Sequence, residues 1–177
     1  METILNKIRD YADNAHGEQT RKYTPERYIV HPVRVMETVR QYDPRLPMLA
    51  AALLHDVIED TPVTEDEMMA FLLTVMERPD AEQTLELVIE MTDVYVWKKF
   101  PQWNRRVRKQ KELDRIAQTI KYADIMDNSM EIAHEDTDFA PRYLKECLAV
   151  LEVADKGNSE LHKIAIKVVR QELKKLR

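Results

Sequence analysis

Residues 47–60 read PMLAAALLHDVIED, and this stretch decides the fold class of the protein. Its first eight residues are all apolar, so at 3.6 residues per turn they cover nearly every face of a helix. A helix that is apolar almost all round is buried inside a domain. We therefore predict a central helix over residues 47–60 with other helices packed around it.

Helical periodicity recurs on both sides of this central segment. Apolar residues spaced three and four apart predict a helix over residues 2–15 and another beginning near Pro32. A long helical region is predicted over about residues 104–133, and a further helix begins near Pro141. Because every predicted element is a helix, we assign the chain to the all-α class.

Short polar motifs mark two of the predicted helix starts. Thr64 with Glu67 has the pattern of a capping box, in which each residue's side chain bonds the other's backbone N–H. Asp80 with Gln83 resembles a second cap of the same kind. These motifs predict that helices begin directly after Thr64 and Asp80.

The C-terminal part of the chain is predicted to form a helical extension. Gly157 lies where a helix C-terminal cap is expected, and Ser159 is predicted as the N-cap of the last helix. We predict a single domain over residues 1–177. Its compact helical bundle takes up about residues 1–135, and the extension takes up about residues 138–177.

Composition excludes several classes of protein. Two glycines in 177 residues are far too few for the glycine-rich nucleotide motifs of the Walker and Rossmann types. No apolar run approaches the roughly 20 residues of a membrane span, and charges interrupt the N-terminal stretch, so neither a membrane segment nor a secretory signal is expected. The single cysteine, Cys147, permits no internal disulfide and fits a reducing, cytoplasmic setting.

The charge of the chain is unevenly distributed. The net charge of −5 argues against general affinity for nucleic acid. Residues 98–111 nevertheless read KKFPQWNRRVRKQK, with seven basic residues and no acidic one. This run is either a solvated loop and helix start or a basic wall for an anionic ligand, and we favour the solvated segment.

Four ionisable residues fall on one face of the predicted central helix. His55, Asp56, Glu59 and Asp60 lie within about 140° of one another at 100° per residue. Three carboxylates crowded on an otherwise apolar helix would be costly unless something offsets their charge. A divalent cation is the simplest candidate, although a helix end emerging into solvent would give the same pattern.

Further ligands for such a cation would come from other segments. His31 precedes Pro32 at a predicted helix start, which is a fixed place from which a side chain can project. Asp124 and Asn128 share one helix face at i, i+4 spacing. Taken alone, His31 is as well explained as a terminal polar residue, and the Asp124–Asn128 pair as an exposed polar stripe.

The order of these segments identifies a family. The chain reads AHGEQTRKYTPERYIVHP, then LLHDVIEDT, then IKYADIMDN. Over about residues 10–130 it resembles the HD-domain phosphohydrolases, and specifically the hydrolase domain of RelA/SpoT-type proteins and their small stand-alone relatives. The resemblance implies a compact helical HD fold. Since the 177 residues hold no synthetase segment, it also implies a small stand-alone alarmone hydrolase.

The resemblance also implies a role for each residue of the motifs. The implied metal is Mn²⁺, although two imidazoles and two carboxylates would also suit Fe, Co or Zn. The implied metal ligands are His31, His55, Asp56 and Asp124. The implied catalytic pair that serves the hydrolytic water is Glu59 and Asp60. The implied contacts to the nucleotide substrate are Arg21, Lys22 and Asn128.

The implied reaction is hydrolysis of the 3′-pyrophosphate of (p)ppGpp to GDP or GTP and pyrophosphate. Two departures from the family pattern bear on the substrate: ADIMDN lacks the usual arginine, and Glu131 stands where a threonine is common. An HD enzyme acting on another nucleotide phosphate ester therefore remains an alternative, as does a nucleotide- or metal-binding module without turnover. The sequence leaves the oligomeric state open.

Overall fold

The structure is a computed structural model that describes residues 1–92 and 115–176. Within these ranges the regular elements are α-helices, apart from one isolated antiparallel β-bridge between Thr20 and Arg27. The predicted all-α class is therefore confirmed. In the same ranges, none of the helices combines the length and the apolar character that crossing a membrane requires.

Contacts between Cα atoms divide the chain into two units, Met1–Val94 and Tyr95–Arg177. The helices of the first unit are α1 (Glu2–His16), α2 (Val30–Arg40), α3 (Leu46–Leu54), α4 (Val57–Asp60), α5 (Glu65–Val75) and α6 (Arg78–Met91). Helix α3 packs against α1, α2 and α6, and all of its residues from Pro47 to Leu54 are buried. The prediction of a central apolar helix is correct for this part of the segment.

The predicted continuous helix over residues 47–60 is wrong at its midpoint. Helix α3 ends at Leu54, and the short helix α4 begins only at Val57. Between them, Asp56 has φ −99° and ψ −7°, the bridge region in which active-site residues often lie. The His55 Nδ1 atom lies 2.9 Å from the Ala52 carbonyl oxygen, which the Asp56 N–H would bond in a continuous helix. The His55 side chain thus bonds the Ala52 carbonyl, which would otherwise accept the backbone hydrogen bond that continues the helix.

The two predicted caps of the first unit have different outcomes. The capping box is confirmed: Thr64 Oγ1 accepts from the Glu67 N–H, and a Glu67 carboxylate oxygen accepts from the Thr64 N–H at 2.9 Å. The cap at Asp80 is wrong, because α6 begins at Arg78 with Pro79 in its first turn. Proline has its φ already set for a helix start and needs no N–H partner there, so it moves the start toward the N-terminus.

The described residues of the second unit form three helices. They are α7 (Arg115–Glu135), α8 (Ala140–Val153) and α9 (Ser159–Lys175). Each of the three packs against the other two. The N-cap of α9 is Asn158 rather than the predicted Ser159, since the Asn158 Oδ1 atom accepts from the Glu160 and Leu161 N–H groups at 3.0 Å.

A buried tyrosine joins the loop between α8 and α9 to α7. The Tyr122 hydroxyl donates to the Ala154 carbonyl at 2.5 Å and accepts from the Gly157 N–H at 3.1 Å. Gly157 is therefore not the helix cap that was predicted, since α8 already ends at Val153. A Cβ atom at residue 157 would lie 2.5 Å from the Tyr122 Cε2 atom, so close packing explains the glycine.

Some predictions concern residues outside the described ranges. The basic run over residues 98–111 and the first residues of the helix predicted from about residue 104 belong to this group. The single-domain assignment, with its bundle over residues 1–135 and its extension over residues 138–177, stays a prediction.

Candidate active site

Three of the four predicted metal ligands come together in the first unit. His31 lies in the first turn of α2, and His55 and Asp56 form the turn between α3 and α4. One ligand atom from each residue lies within 4.8 Å of the other two. The Asp56 Oδ2 atom is 3.1 Å from His55 Nε2 and 3.7 Å from His31 Nε2. The side chains of both histidines are at most 2% exposed, and that of Asp56 is 20% exposed.

The hydrogen bond at His55 Nδ1 determines that Nε2 is the ring nitrogen that faces Asp56. The Ala52 carbonyl can only accept, so the His55 Nδ1 atom 2.9 Å away carries the proton. A neutral ring then directs its Nε2 lone pair toward the Asp56 carboxylate. Two electron-pair donors 3.1 Å apart require a proton or a metal ion between them. The three residues therefore fit a divalent cation by donor type, by spacing and by burial.

The fourth predicted ligand, Asp124, lies on α7 in the second unit and is 5% exposed. One carboxylate oxygen accepts from Asn128 Nδ2 at 2.6 Å, and the other accepts from Lys121 Nζ at 2.7 Å. The burial of Asp124 excludes the exposed polar stripe considered above for this residue. Its role as a metal ligand, and the contact of Asn128 with a nucleotide, stay predictions.

The predicted catalytic pair lies on α4, directly after the turn that contains His55 and Asp56. Glu59 and Asp60 are both exposed, as expected for a helix end that emerges into solvent. The Asp60 Oδ2 atom is nevertheless 3.2 Å from the Tyr28 hydroxyl. Partial burial raises the pKa of the Asp60 carboxyl, the Asp56 charge raises it further, and the bond from Tyr28 opposes both. Asp60 thus holds a proton to a higher pH than an ordinary aspartate, while the catalytic roles stay predictions.

Sequence reasoning missed Tyr28. Its hydroxyl is 2.7 Å from Asp56 Oδ2 and 3.2 Å from Asp60 Oδ2, so it lies between a predicted metal ligand and a predicted catalytic residue. Its ring lies 4.4 Å from the imidazole of His16. The available signal was an aromatic residue three positions before His31, in an otherwise polar connecting segment.

The predicted substrate contacts Arg21 and Lys22 lie on the segment that carries Tyr28. The Arg21 guanidinium carbon is 5.6 Å from the centre of the Tyr28 ring, and the residue is 8% exposed. Lys22 is exposed and donates to the Tyr23 hydroxyl at 2.8 Å. Arg21 therefore contacts the ring of Tyr28, whose hydroxyl reaches the site, whereas Lys22 bonds its neighbour in sequence, Tyr23. Binding of a nucleotide by either residue stays a prediction.

Comparison with known proteins finds relatives whose names share hydrolysis of guanosine tetra- or pentaphosphate. The chain is 26% identical over 132 residues to a probable guanosine-3′,5′-bis(diphosphate) 3′-pyrophosphohydrolase of Mycoplasma pneumoniae, covering 75% of this chain and 16% of that protein. It is 49% identical over 57 residues to the bifunctional (p)ppGpp synthase/hydrolase SpoT of Escherichia coli K12, covering 32% of this chain and 8% of SpoT. The chain thus spans less than a fifth of the length of these relatives.

A solved structure shares the fold along nearly the whole chain. It is described as a metazoan ortholog of SpoT that hydrolyses ppGpp and plays a role in starvation responses. The TM-score is 0.81 at 23% identity, and the match covers 95% of this chain and 94% of the other. This likeness shows the fold.

The HD domain is the family whose model matches this chain, over residues 28–129. This range is more than half of the chain, and it includes His31, His55, Asp56 and Asp124. The adjacent pair His55 and Asp56, at the turn between α3 and α4, also lies inside this range. The chain therefore belongs to the HD-domain family.

Proposed function

We propose that this protein hydrolyses the 3′-pyrophosphate of guanosine tetra- and pentaphosphate, releasing GDP or GTP and pyrophosphate. The observation that carries the proposal is the convergence of His31, His55 and Asp56, whose ligand atoms lie within 4.8 Å of one another. The names of the Mycoplasma and Escherichia relatives support the choice of substrate.

We further propose that the cluster holds Mn²⁺, with Asp124 as an additional ligand. Two imidazole nitrogens and carboxylate oxygen form a mixed donor set that suits first-row divalent ions. Such an ion lowers the pKa of a water that it binds and polarises a phosphoryl oxygen. His55 suits this role, because its bond to the Ala52 carbonyl fixes the ring with Nε2 facing Asp56, where Nε2 can bind a metal ion in place of a proton.

The acidic residues of α4 are proposed to move protons during hydrolysis. Glu59 accepts a proton from the attacking water, and Asp60 orients that water or protonates the leaving oxygen. Arg21 is proposed to stack on the base and contact phosphate, with Lys22 and Asn128 as further nucleotide contacts.

A second nucleotide phosphate ester is the alternative substrate. Glu131 lies on α7 three residues after Asn128, and it is partly exposed. A carboxylate near the bound nucleotide would favour a base that offers hydrogen-bond donors and would oppose additional phosphates. Base selectivity is therefore the part of the proposal that depends on Glu131.

We also propose a reducing, cytoplasmic setting for the enzyme. Cys147 is the only cysteine of the chain and is buried on α8. Burial raises the pKa of its thiol to about 11, so the reactive thiolate is scarce near neutral pH. A buried, protonated thiol is compatible with a compartment that keeps cysteines reduced.

Product analysis tests the proposal directly. The protein is stripped with a chelator, supplied with Mn²⁺ and incubated with ppGpp, and the nucleotides are separated by ion-exchange chromatography. Formation of GDP and pyrophosphate that depends on Mn²⁺ is the expected result. Unchanged ppGpp with bound Mn²⁺ would refute the substrate and lead to a panel of other nucleotide phosphate esters. Unchanged nucleotides throughout that panel would indicate a binding module.

Glu59→Gln is the matched catalytic control in the same assay. The substitution keeps the size of the side chain and removes a proton acceptor that lies outside the ligand cluster. Turnover should fall by about 10²–10⁴-fold, the usual contribution of a general base, while Mn²⁺ affinity stays within about twofold of wild type. Full turnover by this variant with metal bound would show that the proton acceptor is another group.

A further inference from the structure

The segment between α1 and α2 holds Tyr28 in a defined position. The Tyr28 N–H donates to the Gln19 carbonyl at 2.9 Å, beside the β-bridge between Thr20 and Arg27. The Arg27 guanidinium bonds Asp13 on α1 at 3.0 Å and the Gly17 carbonyl at 3.1 Å. The backbone of this segment is therefore fastened to α1 directly next to Tyr28.

The ring of Tyr28 is held by its neighbours. The imidazole of His16 lies 4.4 Å from it with the two planes 32° apart, and the Arg21 guanidinium lies over the ring at 5.6 Å. His16 is fixed in turn, since its Nδ1 atom lies 2.9 Å from Gln19 Oε1. With both side chains against the ring, the direction of the hydroxyl group is set by packing.

The hydroxyl meets two carboxylates at once. It is 2.7 Å from Asp56 Oδ2 and 3.2 Å from Asp60 Oδ2. Its proton goes to one carboxylate at a time, and the shorter distance identifies Asp56 as the acceptor. The Asp56 Oδ2 atom is also the atom that faces the two histidine Nε2 atoms. A single hydroxyl therefore touches both the ligand cluster and the acidic residue of α4.

An aspartate carboxylate needs a hydrogen-bond partner to fix the direction of its oxygens. Rotation about the last bond of an aspartate side chain is broad, so the side chain alone does not determine where its oxygens point. Groups that hydrogen-bond a metal ligand from outside the cluster fix its orientation, and losing one costs about 10- to 100-fold in metal affinity or activity.

We propose that Tyr28 is a positioning residue whose hydroxyl orients the Asp56 carboxylate for the metal and holds Asp60 beside it. The assignment rests on the proposed function, because it requires a divalent ion at His31, His55 and Asp56. Tyr28 donates to Asp56, the proposed ligand, and lies beside Asp60, the proposed catalytic residue, and it is not itself a ligand.

Tyr28→Phe tests the proposal, because it removes the hydroxyl and keeps the ring against His16 and Arg21. Mn²⁺ affinity is measured by titration calorimetry on chelator-stripped protein, alongside the melting temperature of the same metal-free protein. We expect about 10- to 100-fold weaker Mn²⁺ binding, a lower kcat at saturating Mn²⁺, and a melting temperature within about 2 °C of wild type. Tyr11→Phe is the control, because that ring stacks on Phe71 at 3.9 Å in the same unit.

The outcomes separate this inference from the proposed function. Wild-type Mn²⁺ affinity and kcat in Tyr28→Phe would overturn the positioning role and leave the proposed function intact. Tyr28→Leu, which removes ring and hydroxyl together, measures the structural contribution. If Tyr28→Phe lost as much thermal stability as Tyr28→Leu, the role would be structural and the inference wrong. Failure of wild-type protein to bind Mn²⁺ would overturn both proposals.

Discussion

Two buried polar clusters, one in each unit, contrast in how their atoms are matched. In the second unit, the Tyr122 hydroxyl donates to the Ala154 carbonyl and accepts from the Gly157 N–H, so each donor meets an acceptor. In the first unit, His55 Nε2 and Asp56 Oδ2 are two electron-pair donors facing each other at 3.1 Å. The first arrangement is a set of matched hydrogen bonds, and the second suits a proton or a cation between its two atoms.

This difference separates a structural cluster from a functional one. Matched hydrogen bonds around Tyr122 join the loop between α8 and α9 to α7, so their loss should appear in stability. The residues around Asp56 place carboxylates near one another, which does not stabilise the fold and suits the binding of positive charge. The two clusters should therefore respond in opposite ways to substitution.

Asp56→Ala should have the largest effect. Removing the ligand oxygen should weaken Mn²⁺ binding by more than about 100-fold, beyond the loss expected for a residue that acts on a ligand from outside. The unfolding free energy of the metal-free protein should change by less than about 1 kcal/mol, because the lost bond from Tyr28 is offset by relief of repulsion with Asp60. Calorimetric titration and denaturant unfolding measure the two quantities.

Asp10→Ala serves as the control for Asp56→Ala. It removes an exposed carboxylate on α1 that pairs only with its neighbour in sequence, Arg9, among the ion pairs described for it. Neither metal affinity nor stability should change measurably. Equal loss of metal affinity in both variants would mean that Mn²⁺ binds through general negative charge, and the contrast between the clusters would fail.

Gly157→Ala should produce the reverse pattern. The new Cβ atom would meet the Tyr122 ring at 2.5 Å, and forcing volume into a packed interior costs about 1–3 kcal/mol. Mn²⁺ affinity of the folded protein should remain unchanged. Chemical denaturation reports the loss, and Ser159→Ala, at an exposed first residue of α9, should stay within about 0.5 kcal/mol of wild type. Stability equal to wild type in Gly157→Ala would show that the loop between α8 and α9 can shift to accept the added methyl group without cost.

Thr64→Ala should have the smallest effect and a distinct pH dependence. Loss of the N-cap of α5 should cost about 1 kcal/mol at pH 7 without any change in metal binding. The bonds from the Thr64 N–H and hydroxyl hold the pKa of Glu67 below its usual range. A lowered carboxyl pKa stabilises the fold above the ordinary value of Glu67, and that stabilisation is lost as pH falls through the lowered pKa.

Urea unfolding at pH 7 and pH 3 tests this dependence. The difference between wild type and Thr64→Ala should shrink from pH 7 toward pH 3, as Glu67 begins to take up a proton and accepts less from Thr64 as a carboxylate. Thr74→Ala, on the exposed side of the same helix, controls for threonine loss. A difference that is constant with pH would mean that the bond from the Thr64 hydroxyl to the Glu67 carboxylate contributes nothing to stability.

Local chemistry explains which parts of the fold could be predicted. The capping box at Thr64 involves residues three apart, so its sequence pattern carries all the information that it needs. The cap at Asp80 failed because Pro79 starts the helix sooner. The reason for Gly157 was beyond sequence reasoning, because the neighbour that excludes a side chain there is Tyr122, 35 residues away.

The site shows the same boundary between local and long-range information. His31, His55 and Asp56 were predicted from motif order, and the structure brings their ligand atoms together. The helical face drawn through His55 and Asp60 was wrong in detail, because the helix breaks between them. Tyr28 was missed because its role depends on a contact with Asp56, which is 28 residues away in sequence. A tyrosine in a polar segment gives no sign of such a distant contact.

The break between α3 and α4 has a consequence for how tightly an ion can be retained. In a continuous helix, adjacent side chains diverge by about 100°, so His55 and Asp56 would face different directions. The turn instead brings Nε2 of one and Oδ2 of the next within 3.1 Å. One short piece of backbone therefore presents two donor atoms that could bind the same divalent ion. If an ion bound at this turn lost one of the two donors, the other would keep it close to the site, which favours rebinding.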